Sequence, residues 1–314
     1  MEFLKKLKEI KGDASYRKFY KNKKNNSIVV VANKEKNKNL LIYDAINKIL
    51  IKNRILAPKL LSHNYSKNYI EIEDLGIETI YQLLKKNNSD SYFILKKSIK
   101  ILNQIQKIKD RKIKNFKNQL YKIGEYNNQV LYNETKLFCN WYVPKKLSKK
   151  KSIKFNQQFK KEIKLLLTKL NYKNDTFVHR DFHVSNLMNL NNKIGVIDSQ
   201  DALIGNKAYD LASLIDDVRF KTSEHLKNKV YDYYLKINKK IIIKKFKNDF
   251  EILSVLRNLK IIGIFMRLAV RDNKRKYLKL IPYAWEMVSY RASQNKVFSH
   301  LTLLLKDNFP KHLI

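Results

Sequence analysis

One stretch of the chain gathers side chains that a folded core has no use for. His179-Arg180-Asp181-Phe182-His183-Val184-Ser185-Asn186 is followed further on by Asp198-Ser199-Gln200-Asp201. Phosphoryl transfer needs a carboxylate that orients the attacking hydroxyl and receives its proton. It also needs oxygen ligands for Mg2+, supplied by a loop asparagine and an aspartate. Asp181, Asn186 and Asp198 provide that set in that order. Singly they say less: Asn186 is one of 34 asparagines, and Asp198 could cap a helix or sit in a turn. His179, Asp181 and His183 could form a metal trio, but no helical run lies beneath them. The set together with its context favours the catalytic reading.

That context is a change of period. Thr176-Phe177-Val178 predicts a short strand, and Leu187–Leu190 and Ile194–Ile197 predict two more joined by a tight turn at Asn191-Asn192. Such a hairpin returns Asp198 to the edge that carries Asp181 and Asn186. The first third predicts strands and one helix. Tyr16, Phe19 and Tyr20 precede a polar turn at Asn25-Asn26, then the β-branched run Ile28–Val31. Asn39–Asn53 has helical spacing, and short runs at Leu60-Leu61 and Tyr69–Ile72 follow. Glu73-Asp74-Leu75-Gly76 breaks the composition and predicts a hinge. Beyond it the chain reads as largely helical: Ile94, Leu95, Ile101, Leu102, Ile105 and Ile108 share one face, as do Phe155, Phe159, Ile163, Leu166 and Leu170. Long helices resume from about Asn206. The expected architecture is α+β and bilobal, with a sheet-containing lobe over 1–76 and a larger, mostly helical lobe over 77–314 that carries the catalytic hairpin.

Composition narrows the classes. The single cysteine, Cys139, excludes an internal disulfide, a four-cysteine zinc site and an iron–sulfur cluster. Six glycines in 314 residues leave no G-x-G-x-x-G phosphate loop. A net charge of +38 invites a nucleic-acid reading, yet 56 of the 66 basic residues are lysines, spread from Lys5 to Lys311. Base readout and bidentate phosphate recognition favour arginine. Lysine, asparagine and isoleucine rising together indicate compositional bias on a solvated surface, so no specific nucleic-acid partner is expected. Met1-Glu2-Phe3-Leu4-Lys5-Lys6 lacks the apolar stretch of a secretory signal, and no apolar run approaches the ~20 residues that cross a bilayer. The expectation is a cytoplasmic chain with no membrane association.

The loop and hairpin resemble the catalytic segment of the aminoglycoside phosphotransferase/choline kinase superfamily, the small-molecule branch of the protein-kinase-like fold. Other segments narrow the resemblance: Gly12-Asp13-Ala14-Ser15-Tyr16-Arg17-Lys18-Phe19-Tyr20, Glu73-Asp74-Leu75-Gly76, Glu134 through Tyr142, Ile197 through Ala202, Ala208 through Leu214, and Arg257 through Tyr277. Together these are similar to the bacterial anomeric kinases of N-acetylmuramate and N-acetylglucosamine, which act in cell-wall sugar recycling. The resemblance implies ATP and Mg2+ as cofactors and a small-molecule sugar as acceptor. By position it implies Asp181 as catalytic base, Asn186 and Asp198 as metal ligands, His179 as a brace of the loop, and Asp210 as a buried support. It implies Gly12, Ser15, Arg17 and Glu73 at the nucleotide.

The chain departs from kinases at large where Val29-Val30-Val31-Ala32-Asn33 lacks the lysine that holds the α/β-phosphates. Arg17, Lys18 or Lys34 could replace it. The metal-binding aspartate stands in Asp198-Ser199-Gln200, without the usual phenylalanine. Gln200 and Asp201 are candidates for the sugar hydroxyls, which call for short polar donors and acceptors just past the metal site. Arg219 could meet a lactyl carboxylate, or equally pair with Asp216 or Asp217. Trp141 could be a sugar platform or a core residue. The expected activity is phosphorylation of the anomeric hydroxyl of N-acetylmuramate or N-acetylglucosamine. The alternatives are a choline- or aminoglycoside-type kinase and, from another class, a nucleic-acid-binding or inactive kinase-derived scaffold. Oligomeric state is not legible.

Overall fold

Five short strands, of which the central Ser27–Val31 is rich in β-branched residues, form the sheet of the first of two units in the computed structural model, which describes residues 7–10, 17–32, 38–86, 90–191 and 193–312. The first unit comprises residues 1–124 and 179–203, the second 125–178 and 204–314. In the first unit, β1 (Lys8–Ile10), β2 (Lys18–Asn22), β3 (Ser27–Val31), β4 (Leu60–Asn64) and β5 (Tyr69–Glu73) make one antiparallel sheet of order β1-β2-β3-β5-β4. The β2–β3 turn places Asn26 at φ 50°, a left-handed conformation that asparagine tolerates better than most residues. The helix α1 (Lys38–Lys52) lays Leu40 and Tyr43 against Val30, Ala32, Ile70 and Ile72, and this is the unit's core.

The unit continues with α2 (Ile80–Lys86), α3 (Ser91–Ile105) and a small hairpin of β6 (Lys112–Lys114) and β7 (Leu120–Lys122). The α3 stripe of Ile94, Leu95, Ile99, Leu102 and Ile105 is buried, and Ser98 interrupts it by donating its hydroxyl to the Ile94 carbonyl at 3.2 Å. The later segment of the unit holds β9 (Leu187–Leu190) and β10 (Lys193–Val196), paired antiparallel from Lys193↔Leu190 to Val196↔Leu187. Asn191 in their turn has φ 47°.

The second unit contains α4 (Asn128–Thr135), α5 (Lys149–Thr168), β8 (Thr176–Val178), all of β11 (Leu203–Gly205) but its first residue, α6 (Ala208–Ile215), α7 (Glu224–Ile237), α8 (Ile243–Val270), α9 (Ile281–Ser293) and α10 (Ser299–Asn308). Its central element is α8, buried along most of its length. A π-helical turn at Phe138–Tyr142 packs so closely on α8 that a Cβ at Gly263 would lie 2.3–2.5 Å from backbone atoms of Leu137 and Phe138. Glycine is the residue that permits this approach. A small antiparallel sheet followed by mostly helix is the α+β arrangement expected from the residues. No helix of the described residues is long and apolar enough to cross a membrane.

Candidate active site

The hairpin β9–β10 does the positioning. Asn186 immediately precedes β9 and Asp198 lies just past β10, and the Ile197 amide donates to the Asn186 carbonyl at 3.1 Å. Both residues therefore stand at the open end of one ladder. The loop before it is folded by Asn186 itself, whose Nδ2 donates to the Asp181 carbonyl at 3.0 Å and lies 3.3 Å from His183 Nε2. Asp181, half-buried, thus belongs to the same turn as Asn186.

Asp198 is held in a left-handed conformation (φ 62°, ψ 36°), uncommon for a residue with a side chain and found where surrounding contacts over-determine it. Buried His179 donates Nε2–H to the Ile197 carbonyl at 3.1 Å. Ser199 donates its hydroxyl to Asn47 Oδ1 at 2.6 Å, and Asn47 Nδ2 donates to the Pro58 carbonyl at 3.0 Å, which ties α1 to the turn after Asp198. Arg180, also left-handed at φ 73°, donates Nη1–H to the Asp201 carbonyl at 2.9 Å.

Arg17 meets the Asp198 carboxylate directly, with Nη2 2.5 Å from Oδ1. Its guanidinium lies over the rings of Phe19 (5.8 Å) and Tyr43 (5.5 Å), and its side chain is 4% exposed. Burial pushes the Tyr43 hydroxyl up to about 12, against the opposing pull of Arg17, so the tyrosine stays neutral beside the pair. Of the three cations considered for the phosphates, Arg17 is thus a buried partner of Asp198, Lys18 is exposed on β2, and Lys34 lies outside the described residues.

The donor chemistry suits Mg2+. Asp198 keeps a side chain 36% exposed, and with the Asn186 amide it supplies hard oxygen ligands. Among the described residues no group of three His, Cys, Asp or Glu side chains forms a metal cage.

The remaining candidates divide between the units. In the first, Gln200 is buried and donates Nε2–H to Asp201 Oδ2 at 2.8 Å, while Asp201 is exposed. Glu73 ends β5, its amide donating to the Lys59 carbonyl at 2.9 Å. Gly12 and Ser15 lie outside the described residues. In the second unit, Asp210 is buried in the first turn of α6. Trp141 is half-buried in the π-helical turn, and the fully buried tryptophan is instead Trp285. Arg219 lies 3.5 Å from Asp217, whereas Asp216 is taken by Arg291 and Lys227. Of the alternatives for Arg219 among its neighbours, Asp217 is the one it contacts.

Two contacts of this region are not foreshadowed by the sequence. The Arg17–Asp198 pair joins residues 181 positions apart, and Asn47 carries no signal that separates it from the other asparagines of the chain. The hint for Arg17 is that it is an arginine among lysines, flanked by Tyr16, Phe19 and Tyr20.

Known proteins resemble this chain at two levels. A kinase of N-acetylmuramate/N-acetylglucosamine from Neisseria meningitidis is 30% identical over 237 residues, 72% of this chain and 67% of its own length. A kinase of the same name from Pseudomonas aeruginosa is 25% identical over 300 residues, covering 93% and 86%. Among solved structures, the ADP-bound aminoglycoside phosphotransferase APH(2'')-Ib superposes with a TM-score of 0.59 over 90% of this chain and 94% of its own, at 17% identity, a likeness of fold. The model of the phosphotransferase enzyme family matches residues 6–240. Since that span contains the catalytic-type loop, the hairpin and Asp198, the chain belongs to the phosphotransferase enzyme family and is an enzyme of kinase type.

Proposed function

We propose that this enzyme transfers the γ-phosphoryl group of ATP to the anomeric hydroxyl of N-acetylmuramate or N-acetylglucosamine, a step in reuse of cell-wall sugars, with Mg2+ as the metal. The observation that carries the reading is the open end of the β9–β10 hairpin, where Asn186 and Asp198 share one ladder end and Asn186 anchors the Asp181 backbone. The relatives that bear the N-acetylmuramate/N-acetylglucosamine kinase name support the acceptor.

In this reading Asp181 orients the acceptor hydroxyl and receives its proton. The anomeric hydroxyl is the most acidic of a reducing sugar, which eases that transfer. Asn186 and Asp198 hold Mg2+, which when bound neutralises charge on the phosphates. Arg17, placed at Asp198, supplies the phosphate-binding cation in place of the missing strand lysine, aided by the Gly12–Ser15 segment, with Glu73 at the nucleotide. His179 and Asp210 support the loop. Gln200, Asp201, Arg219 and Trp141 are the candidates for the sugar. We assign residues 1–76 to the nucleotide lobe and 77–314 to the catalytic lobe, and place the reaction in the cytoplasm, where ATP is supplied. The test is a panel of reducing sugars, their methyl glycosides, choline and aminoglycosides assayed with ATP and Mg2+. Transfer to the two N-acetyl sugars, and none to their methyl glycosides, is expected. Turnover of a methyl glycoside would overturn the anomeric assignment, and turnover of choline or an aminoglycoside alone would overturn the substrate class.

A further inference from the structure

Asn47 is out of place by local criteria. It lies in the interior of α1, where asparagine is a poor helix former, and it is buried on a helix whose Leu40, Tyr43, Ile46 and Leu50 are buried as well. An apolar side chain would suit both the helix and the core better. What Asn47 has instead is a set of polar partners. Its Oδ1 accepts from the Ser199 hydroxyl at 2.6 Å, and its Nδ2 donates to the carbonyl of Pro58, just ahead of β4, at 3.0 Å. The Tyr43 hydroxyl, one turn back along α1, is a further partner. One side chain thereby joins α1, the lead into β4 and the turn after Asp198.

Ser199 is fully buried, so no water competes for its bond to Asn47. A second tie lies on the other side of Asp198. The Val196 amide donates to the Leu56 carbonyl at 2.8 Å, in the segment between α1 and β4. Asp198 is therefore clamped from both flanks to the same helix and its connection. Its left-handed backbone is unfavourable for a residue with a side chain and persists only where neighbours impose it. The tie at Val196 runs from backbone to backbone, which most sequences could make. The tie at Ser199 needs the asparagine. The same helix carries Tyr43, whose ring lies 5.5 Å from the Arg17 guanidinium, so α1 braces both partners of the Arg17–Asp198 pair.

We propose that Asn47 is a positioning residue for the metal: acting through Ser199, it fixes the backbone conformation from which the Asp198 carboxylate serves as a ligand. The inference rests on the reading of Asp198 as a metal ligand given above. It is tested by titrating Mn2+, in place of Mg2+, into the whole chain with a non-hydrolysable ATP analogue, free Mn2+ being read by EPR. The wild type is compared with Ser199→Ala, Asn47→Ala, the double variant and Asp198→Asn. Ser199→Ala and Asn47→Ala should each weaken Mn2+ binding by about tenfold, the lower end of the range for groups that stand behind a metal ligand. The double variant should be about as weak as the weaker single one, because both changes remove the same bond. In Ser199→Ala the affinity for the metal-free analogue should stay within about threefold of the wild type, a split that general damage to the unit would not give. Unchanged Mn2+ affinity in Ser199→Ala would overturn the proposal. So would an equal loss of metal-free nucleotide binding, or losses that multiply to about a hundredfold in the double variant. Ser199→Ala removes only a hydroxyl, so an Asn47→Ala that fails to fold leaves the test intact. Unchanged Mn2+ affinity in Asp198→Asn would instead strike the metal-ligand reading itself, and the inference with it.

Discussion

The bond that anchors Asn186 is made to the Asp181 backbone carbonyl at 3.0 Å, so a change confined to the Asp181 side chain leaves that anchor in place. With Asp181 as the proposed general base, Asp181→Asn should therefore fold and bind ATP as the wild type does while kcat falls by about 10²–10⁴, the usual scale for losing such a group. Steady-state kinetics beside nucleotide titration reads both quantities. Asp198→Ala is expected to behave differently, because it removes the proposed metal ligand and strands the buried Arg17 guanidinium; binding of Mg2+·ATP should weaken by at least about tenfold. Residue types and spacing carried Asp181, Asn186 and Asp198, because a fixed loop length and a hairpin are local properties. Arg17 on Asp198 and Asn47 on Ser199 were not legible in this way. Each contact closes over a long stretch of chain, and neither a basic residue nor an asparagine is informative in a composition so rich in both.

At the scale of elements, the hairpin and α1 follow from local pattern, and their observed bounds fall within a residue or two of the expected ones. The strands β6 and β7 do not. Each has three residues with only the middle one partly buried, too short to show an alternation. The π-helical turn at Phe138–Tyr142 escapes for another reason: its geometry answers to α8, which approaches at Gly263. That approach is testable. Gly263→Ala would force a methyl group into backbone atoms of Leu137 and Phe138 that have no freedom to turn aside, and should destabilise the protein by about 3 kcal/mol. Gly124→Ala, whose added Cβ would meet only the tip of the Leu203 side chain at 3.3 Å, should cost well under half of that in the same chemical denaturation experiment.

Over the whole molecule, the excess of positive charge lies mostly in exposed lysines, and the few buried cations are where charge decides stability. Asp216 is the clearest case. Burial alone would raise its pKa, but Lys227, Arg291 and the Ser254 hydroxyl hold the carboxyl well below the ordinary carboxylate range. A depressed native pKa contributes stability above the unfolded value of about 4, and loses it as pH falls below that value. Asp216→Asn should strip this contribution, lowering stability at neutral pH by about 3–5 kcal/mol and flattening the fall in Tm between pH 5 and pH 3. An unchanged acid profile would contradict the assignment. The central claim is the transfer itself, and proton-coupled 31P NMR of the product made from N-acetylmuramate, ATP and Mg2+ reads it most directly. The account predicts one phosphomonoester resonance split by the anomeric proton and lost after mild acid. A phosphomonoester that survives mild acid and couples to the C6 protons instead would contradict it.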